Sequence, residues 1–286
     1  MTVSHGPAFQ FVQQLAASLG KGDLDLPAFP DAVGRLQATL ADEAAGVREV
    51  VSIIGSEPVL TARLLKMANS AAMNPAGREI NNINGAVTRL GFNLVRGTAA
   101  AYAINQMSRQ QELAPIRDEL EGIWRASNEV AAICYVVAKR VFGRQPDEAM
   151  LAGLLHQIGR LYILTHTLRS EPELRQDPDY TEVLQSWQAP IGAAILAEWG
   201  LPQRIGEAVA NQNDLLGDEL DELQPLPKLL SAAILRNRLA SEPQLRDTHP
   251  GADDRMRTVN FGSDSFLDLV AAAQGDIAQM QHALAA

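Results

Sequence analysis

Apolar positions recur at three- and four-residue steps along almost the whole chain, and alternating strand patterns are absent, so the pattern predicts helix after helix. Residues 8–19 read as a short amphipathic helix, and Gly20–Pro30, with Leu26-Pro27 and Phe29-Pro30, as a turn-rich entry. Helices are predicted over 31–41 and 46–55, the second with Val47, Val50, Val51 and Ile54 on one stripe. Pro58 suits the first position of the next helix, where its missing N–H costs nothing, and Leu60, Leu64, Leu65 and Ala68 supply that helix's buried face. An Asn-rich loop, Asn69–Asn84, follows, with Asn81, Asn82 and Asn84 read as turn formers. Gly91 stands where a helix end wants left-handed backbone, with Phe92 packing back on Val87 in a Schellman cap, and a further helix covers 92–109.

Gln110–Pro115 interrupts the pattern and is read as a subdomain boundary. A long helix is predicted over 116–142, stopped by Gly143, and Pro146 opens another over 147–166. Further helices are predicted near 181–199, 203–213 and 226–240, with Gly217–Glu222 as an acidic surface link. Residues 241–262 read as a polar loop and 264–285 as a helix pair broken at Gly275, able to dock on the body or on a partner. The expected fold class is all-α. It comprises an N-terminal extension helix (1–25), an N-terminal helical subdomain (26–112), a second helical subdomain (113–240) and a loop with a helical tail (241–286).

Composition narrows the function. The 286 residues are 47% hydrophobic and 20% charged, a globular balance, with a formal net charge of −10. Phosphate binding needs basic surface, so general nucleic-acid binding is not expected. No apolar run reaches the roughly 20 residues of a membrane span and the first residues lack signal-peptide order, so a cytoplasmic chain is expected. Cys134, the single cysteine, lies among Val130, Ile133, Val137 and Ala138 and reads as a buried, inert thiol. Trp124, Trp187 and Trp199 each fall in an apolar helical pattern and read as core anchors.

The stretch AGLLHQIGRL, Ala152–Leu161, holds the chemistry worth weighing. On a helix over 147–166, Leu151, Leu154, Leu155, Ile158, Leu161 and Tyr162 form one stripe. His156 falls almost opposite, beside Ala149, Ala152, Gly153 and Arg160, and the Ala and Gly residues there let other groups come close. A structural histidine at a helix–helix contact is favoured over a metal ligand or acid–base group, because metal sites need several convergent donors. His156 and His166 are too far apart on one helix to share an ion, and HxxxH, HExxH, GxSxG and phosphate-loop patterns are absent. Residue chemistry alone therefore points away from an enzyme.

Five stretches follow one another along the chain: Leu26-Pro27-Ala28-Phe29-Pro30, the run Ile53–Ala71, INNINGAVTRLGFNLVR at Ile80–Arg96, AGLLHQIGRL itself, and Ile191–Pro202. Together, and in this order over about 26–240, they resemble the HDOD family, non-catalytic relatives of the HD and HD-GYP phosphohydrolases used in bacterial signalling. The resemblance implies that the second subdomain is HD-like and supplies metal-ligand positions to check. Where catalytic HD proteins carry donors this chain has Ala126, His156-Gln157, Gln188, Gln212-Asn213 and Asn237. Neutral amides and one alanine in place of histidine and aspartate ligands would leave one imidazole and no anionic charge, so no metal, no cofactor and no catalytic residues are expected.

The resemblance also implies signalling, often in cyclic-di-GMP or other cyclic di-nucleotide pathways, two-component systems, motility or attachment. With no receiver or cyclase domain fitting beside it, the chain is expected to bind signalling proteins in trans. Arg63, Lys66, Asn69, Arg89 and Arg96, with Arg160, are candidates for a partner- or anion-binding surface. For each singly, the competing reading is a solvated basic face, with Asn69 organising a loop. A nucleotide second-messenger sensor in the old HD pocket and a divergent phosphohydrolase are the alternatives.

Overall fold

The structure is a computed structural model that describes residues 11–15, 17–18, 31–42, 46–108, 110–143, 145–212 and 223–285. The entry stretch 20–30, the acidic link 217–222 and Asn213 lie outside the described residues; of the helix expected over 8–19, residues 11–15 and 17–18 are described and helical.

The molecule is all-α. The first half contains α1 (Asp31–Ala41), α2 (Val47–Ile54), α3 (Pro58–Ala68), α4 (Ile83–Leu90) and α5 (Phe92–Ser108). A 3₁₀ segment, Gln111–Ile116, leads into α6 (Arg117–Val141), followed by α7 (Pro146–Leu155) and α8 (Ile158–Ser170). After a second 3₁₀ segment, Pro172–Gln176, come α9 (Tyr180–Glu198), α10 (Gln203–Ala210) and α11 (Pro225–Ser241). Two short helices, α12 (Leu245–Thr248) and α13 (Ala252–Thr258), precede a small antiparallel hairpin in which Asn260 faces Ser265 and Phe261 faces Asp264. The chain closes with α14 (Phe266–Ala271) and α15 (Gln274–Ala285).

Local chemistry sets the boundaries. Pro58, Pro146 and Pro225 each open a helix at the position where no N–H is needed. Gly143, at φ +62, ends α6. Asn69 organises the loop after α3: its amide oxygen accepts from the Ile80 N–H at 2.8 Å and its nitrogen donates to the Ile80 and Leu65 carbonyls. Asn82 caps α4, its side chain accepting from the Gly85 N–H at 2.8 Å. Asn82→Ala is expected to lose about 1 kcal/mol in urea denaturation; a change within error of zero would remove the cap from the account.

Some expectations need correcting. Gly91 has the predicted positive φ of 77, but its ψ of 161 leads the chain out extended, and its carbonyl accepts from Val95 at the start of α5. The turn is a shared joint between α4 and α5 instead of a Schellman cap. In α3, Arg63 and Met67 join Leu60, Leu64 and Ala68 in the buried set, while Leu65 is half-buried. Residues 241–262 are not a loop: Leu245, Ala252, Met256 and Val259 are buried, and Arg246 on α12 clamps Asp253 on α13 with two bonds of 2.8 and 3.1 Å. The terminal pair breaks at Ala272–Ala273, and Gly275 lies inside the first turn of α15.

Buried apolar side chains from Phe11 to Leu284 form one contiguous core. Its axis is α6, which packs most extensively on α7 and also meets α11 and α15. The tail therefore docks on the body, α15 lying against both α6 and α3. Trp124, Trp187 and Trp199 are half-buried against this core. Cys134 is fully buried, and burial pushes its thiol well above its ordinary value, which leaves it unreactive. Among the described residues no helix is long and apolar enough to cross a membrane.

Candidate functional site

The single helix expected over 147–166 is two, with an elbow at His156-Gln157. Side chains account for the break. The His156 ring, only 4% exposed, meets the Gly153 carbonyl through Nδ1 at 2.7 Å; an unbroken helix would offer that carbonyl to the Gln157 N–H. The His156 carbonyl, due to accept from Arg160, instead accepts from the Gln212 amide at 2.8 Å. Gln157 sits at φ −97, ψ 11, and α8 sets off in a new direction.

These contacts define the state of His156. Bonding to a carbonyl requires Nδ1 to carry the proton, and burial lowers the pKa of the ring to about 4, so it is neutral at physiological pH. The helices on either side of the elbow are both closely packed. Gly153 lets α7 approach α6 so closely that an added Cβ would stand 2.6 Å from the Ala131 Cα. Gly159 brings α8 equally near α9, where an added Cβ would stand 1.9 Å from the Gln188 carbonyl oxygen.

The other positions singled out in the sequence gather only in part. Gln212 touches His156 directly, and the Gln188 backbone reaches the elbow through Gly159. Gln157 faces a cavity of about 20 Å³, room for about one water, lined mainly by apolar groups such as Ile123, Trp124 and Leu161. Asn237 on α11 donates to the Glu129 carboxylate at 2.5 Å. Glu129 stands one turn beyond Ala126 on α6, and sequence reasoning missed it; a carboxylate just ahead of the apolar run Val130–Ala138 was the available signal. Among the described residues no three His, Cys, Asp or Glu side chains come together as a metal could require.

The basic candidates do not form a shared solvated face. Arg63, expected beside Lys66 on such a face, is 3% exposed, whereas Lys66 is half-buried. Arg63 lies over the Trp124 ring at 4.5 Å and donates to the Leu284 carbonyl. Arg96 donates to the Leu40 carbonyl and, at 2.8 Å, to that of Gly200. Arg89 donates to the Met73 carbonyl at 3.1 Å and Arg246 to that of Leu239 at 2.6 Å. Leu40, Leu239 and Leu284 lie in the last turns of α1, α11 and α15, where unsatisfied carbonyls and the negative end of the helix dipole attract cations. Arg63, Arg96 and Arg246 thus cap helices, while Arg89 ties α4 to the loop after α3. Arg160 is half-buried on α8, and Asn69 belongs to its loop.

Comparison with known proteins follows the same lines. A Shewanella amazonensis crystal structure, of a protein provisionally named a metal-dependent phosphohydrolase, is 27% identical with a TM-score of 0.69, over 97% of this chain and 99% of that one. An HDOD domain protein of unknown function from Geobacter sulfurreducens is 23% identical with a TM-score of 0.58, over 96% and 98% of the two chains. A curated, uncharacterised protein of Treponema pallidum is 23% identical over 216 residues, 71% of this chain; the alignment spans 40% of that protein's length. The HDOD domain family model matches residues 26–215, and with that match the chain belongs to the HDOD family.

Proposed function

We propose that this chain is a non-enzymatic signalling module that works by binding other proteins in trans. The observation that carries the reading is the hydrogen bond from Gln212 to the His156 carbonyl. At the centre of the HD-like subdomain, a neutral amide braces the backbone where a catalytic relative would place a metal-binding side chain. The donor set does not fit a divalent metal. His156 presents Nε2 in a ligand-ready tautomer, but the positions around it supply neutral amides or nothing, and the Glu129 carboxylate beside them accepts the Asn237 amide. Ala126 has no donor, Gln157 faces the apolar cavity, and Gln212 and Asn237 use their amides on His156 and Glu129. Activating a water for phosphate-ester hydrolysis needs charge and several ligands at one point.

The Shewanella relative's name raises the hydrolase alternative, and metal analysis decides it. The full-length protein is expected to hold well under one metal per chain after exposure to manganese or iron, and to leave a phosphodiester substrate intact. Stoichiometric metal together with hydrolysis abolished by His156→Ala would overturn the proposal. The cyclic di-nucleotide sensor has less support, since Arg63, Arg89 and Arg96 are engaged with carbonyls. Saturable micromolar binding of cyclic di-GMP in calorimetry would restore it.

A further inference from the structure

Arg63 occupies an unusual place. It lies on α3 where α15 crosses, 3% exposed, stacked on Trp124 of α6 and bonded to the Leu284 carbonyl near the end of α15. Among the described residues no carboxylate pairs with it, and its buried Nε has no hydrogen-bond partner. Asn128, one turn beyond Trp124 on the same side of α6, is also buried and its amide oxygen has no partner. Burial lowers the pKa of Arg63 to about 10, with the neighbouring Tyr102 hydroxyl opposing the shift in smaller measure.

A guanidinium in this position is costly. Removing it from water carries a desolvation cost that one neutral carbonyl, the Trp124 face and the Tyr102 hydroxyl offset only in part. The apolar side chains Ile277, Met280, Ala283 and Leu284 hold α15 down, and Arg140 and Asp276 add an exposed ion pair at 3.0 Å, a weak fastening. Lifting α15 would return the Arg63 guanidinium to water while leaving the α6–α7 core intact.

We propose that α15 is a releasable strap, docked over Arg63 and Trp124 against a standing desolvation cost, so that it opens independently of the core and controls exposure of that face. The desolvation of Arg63 therefore opposes the docking that its bond to the Leu284 carbonyl accompanies. Replacing Arg63 by an apolar side chain of similar reach should tighten the strap.

Hydrogen–deuterium exchange on the full-length chain tests this. In the wild type, amides of 274–285 are expected to exchange as one cooperative group about a hundredfold faster than those of α7. In Arg63→Met, that group should slow about tenfold with α7 unchanged. Equal protection of α15 and α7 in the wild type would overturn the proposal without recourse to any variant. So would faster exchange of α15 in Arg63→Met, alone or together with α7, because Arg63 would then be a strut and not a strain.

Discussion

Gly159→Ala is expected to destabilise the protein by about 3 kcal/mol, the upper end for overpacking, because the obstruction is backbone. The alanine Cβ would stand 1.9 Å from the Gln188 carbonyl oxygen and 2.6 Å from the Gly192 N–H nitrogen, both inside α9. A flexible side chain could swing away; a helix interior cannot without moving the helix. Separating α8 from α9 would also disturb the elbow and the Gln212 bond to His156. Urea denaturation at neutral pH measures the effect. Gly275→Ala is the control, since nothing lies within 4 Å of a Cβ there and a helix gains from alanine. If both variants unfold at the wild-type midpoint, α8 and α9 are not in backbone contact.

The second large effect is on pH dependence. His156 has a folded pKa of about 4 against an ordinary value of 6.5. Between those values the unfolded chain binds more protons than the folded one, so stability rises with pH and falls as pH is lowered. The loss begins near pH 6.5, follows about 1.4 kcal/mol per pH unit, and reaches about 3 kcal/mol by pH 4. Carboxylates also titrate in this range, so the informative quantity is a difference. Wild type should lose about 2 kcal/mol more than His156→Asn on going from pH 7 to pH 5. Parallel pH profiles for the two proteins would mean that His156 is protonated within the fold or open to water.

The helices were legible because most of them bury one stripe against the core, and a stripe has a period. Legibility failed where the deciding partner is remote. Nothing near His156 in the sequence announces that Gln212, 56 residues on, takes its carbonyl and ends the helix. Arg63 and Lys66, three apart, invite a shared solvated face; the acceptor that draws Arg63 inward is a carbonyl 221 residues away. The helices α12 and α13 escaped notice because they are only a turn or two long and depend on the Arg246–Asp253 clamp. For the candidate site the sequence revealed which donors are missing, since Gln157, Gln212 and Asn237 are plain to read. It could not show that the Gln212 and Asn237 amides are engaged elsewhere, nor that Glu129 stands beside Asn237.

The arginines bound to backbone carbonyls bear on how the molecule looks from outside. The chain carries 34 acidic and 24 basic side chains. Arg63 is withdrawn from the surface and Arg96 is partly buried with its guanidinium aimed at Leu40 and Gly200, while Glu119, Asp254 and Asp276 stay at the surface, each paired with an arginine. The net charge of −10 makes the electrostatic potential that an approaching macromolecule encounters negative on average. Encounter is selective before any contact is made: cationic surfaces are drawn in, polyanions are turned away, and dissolved salt weakens both tendencies.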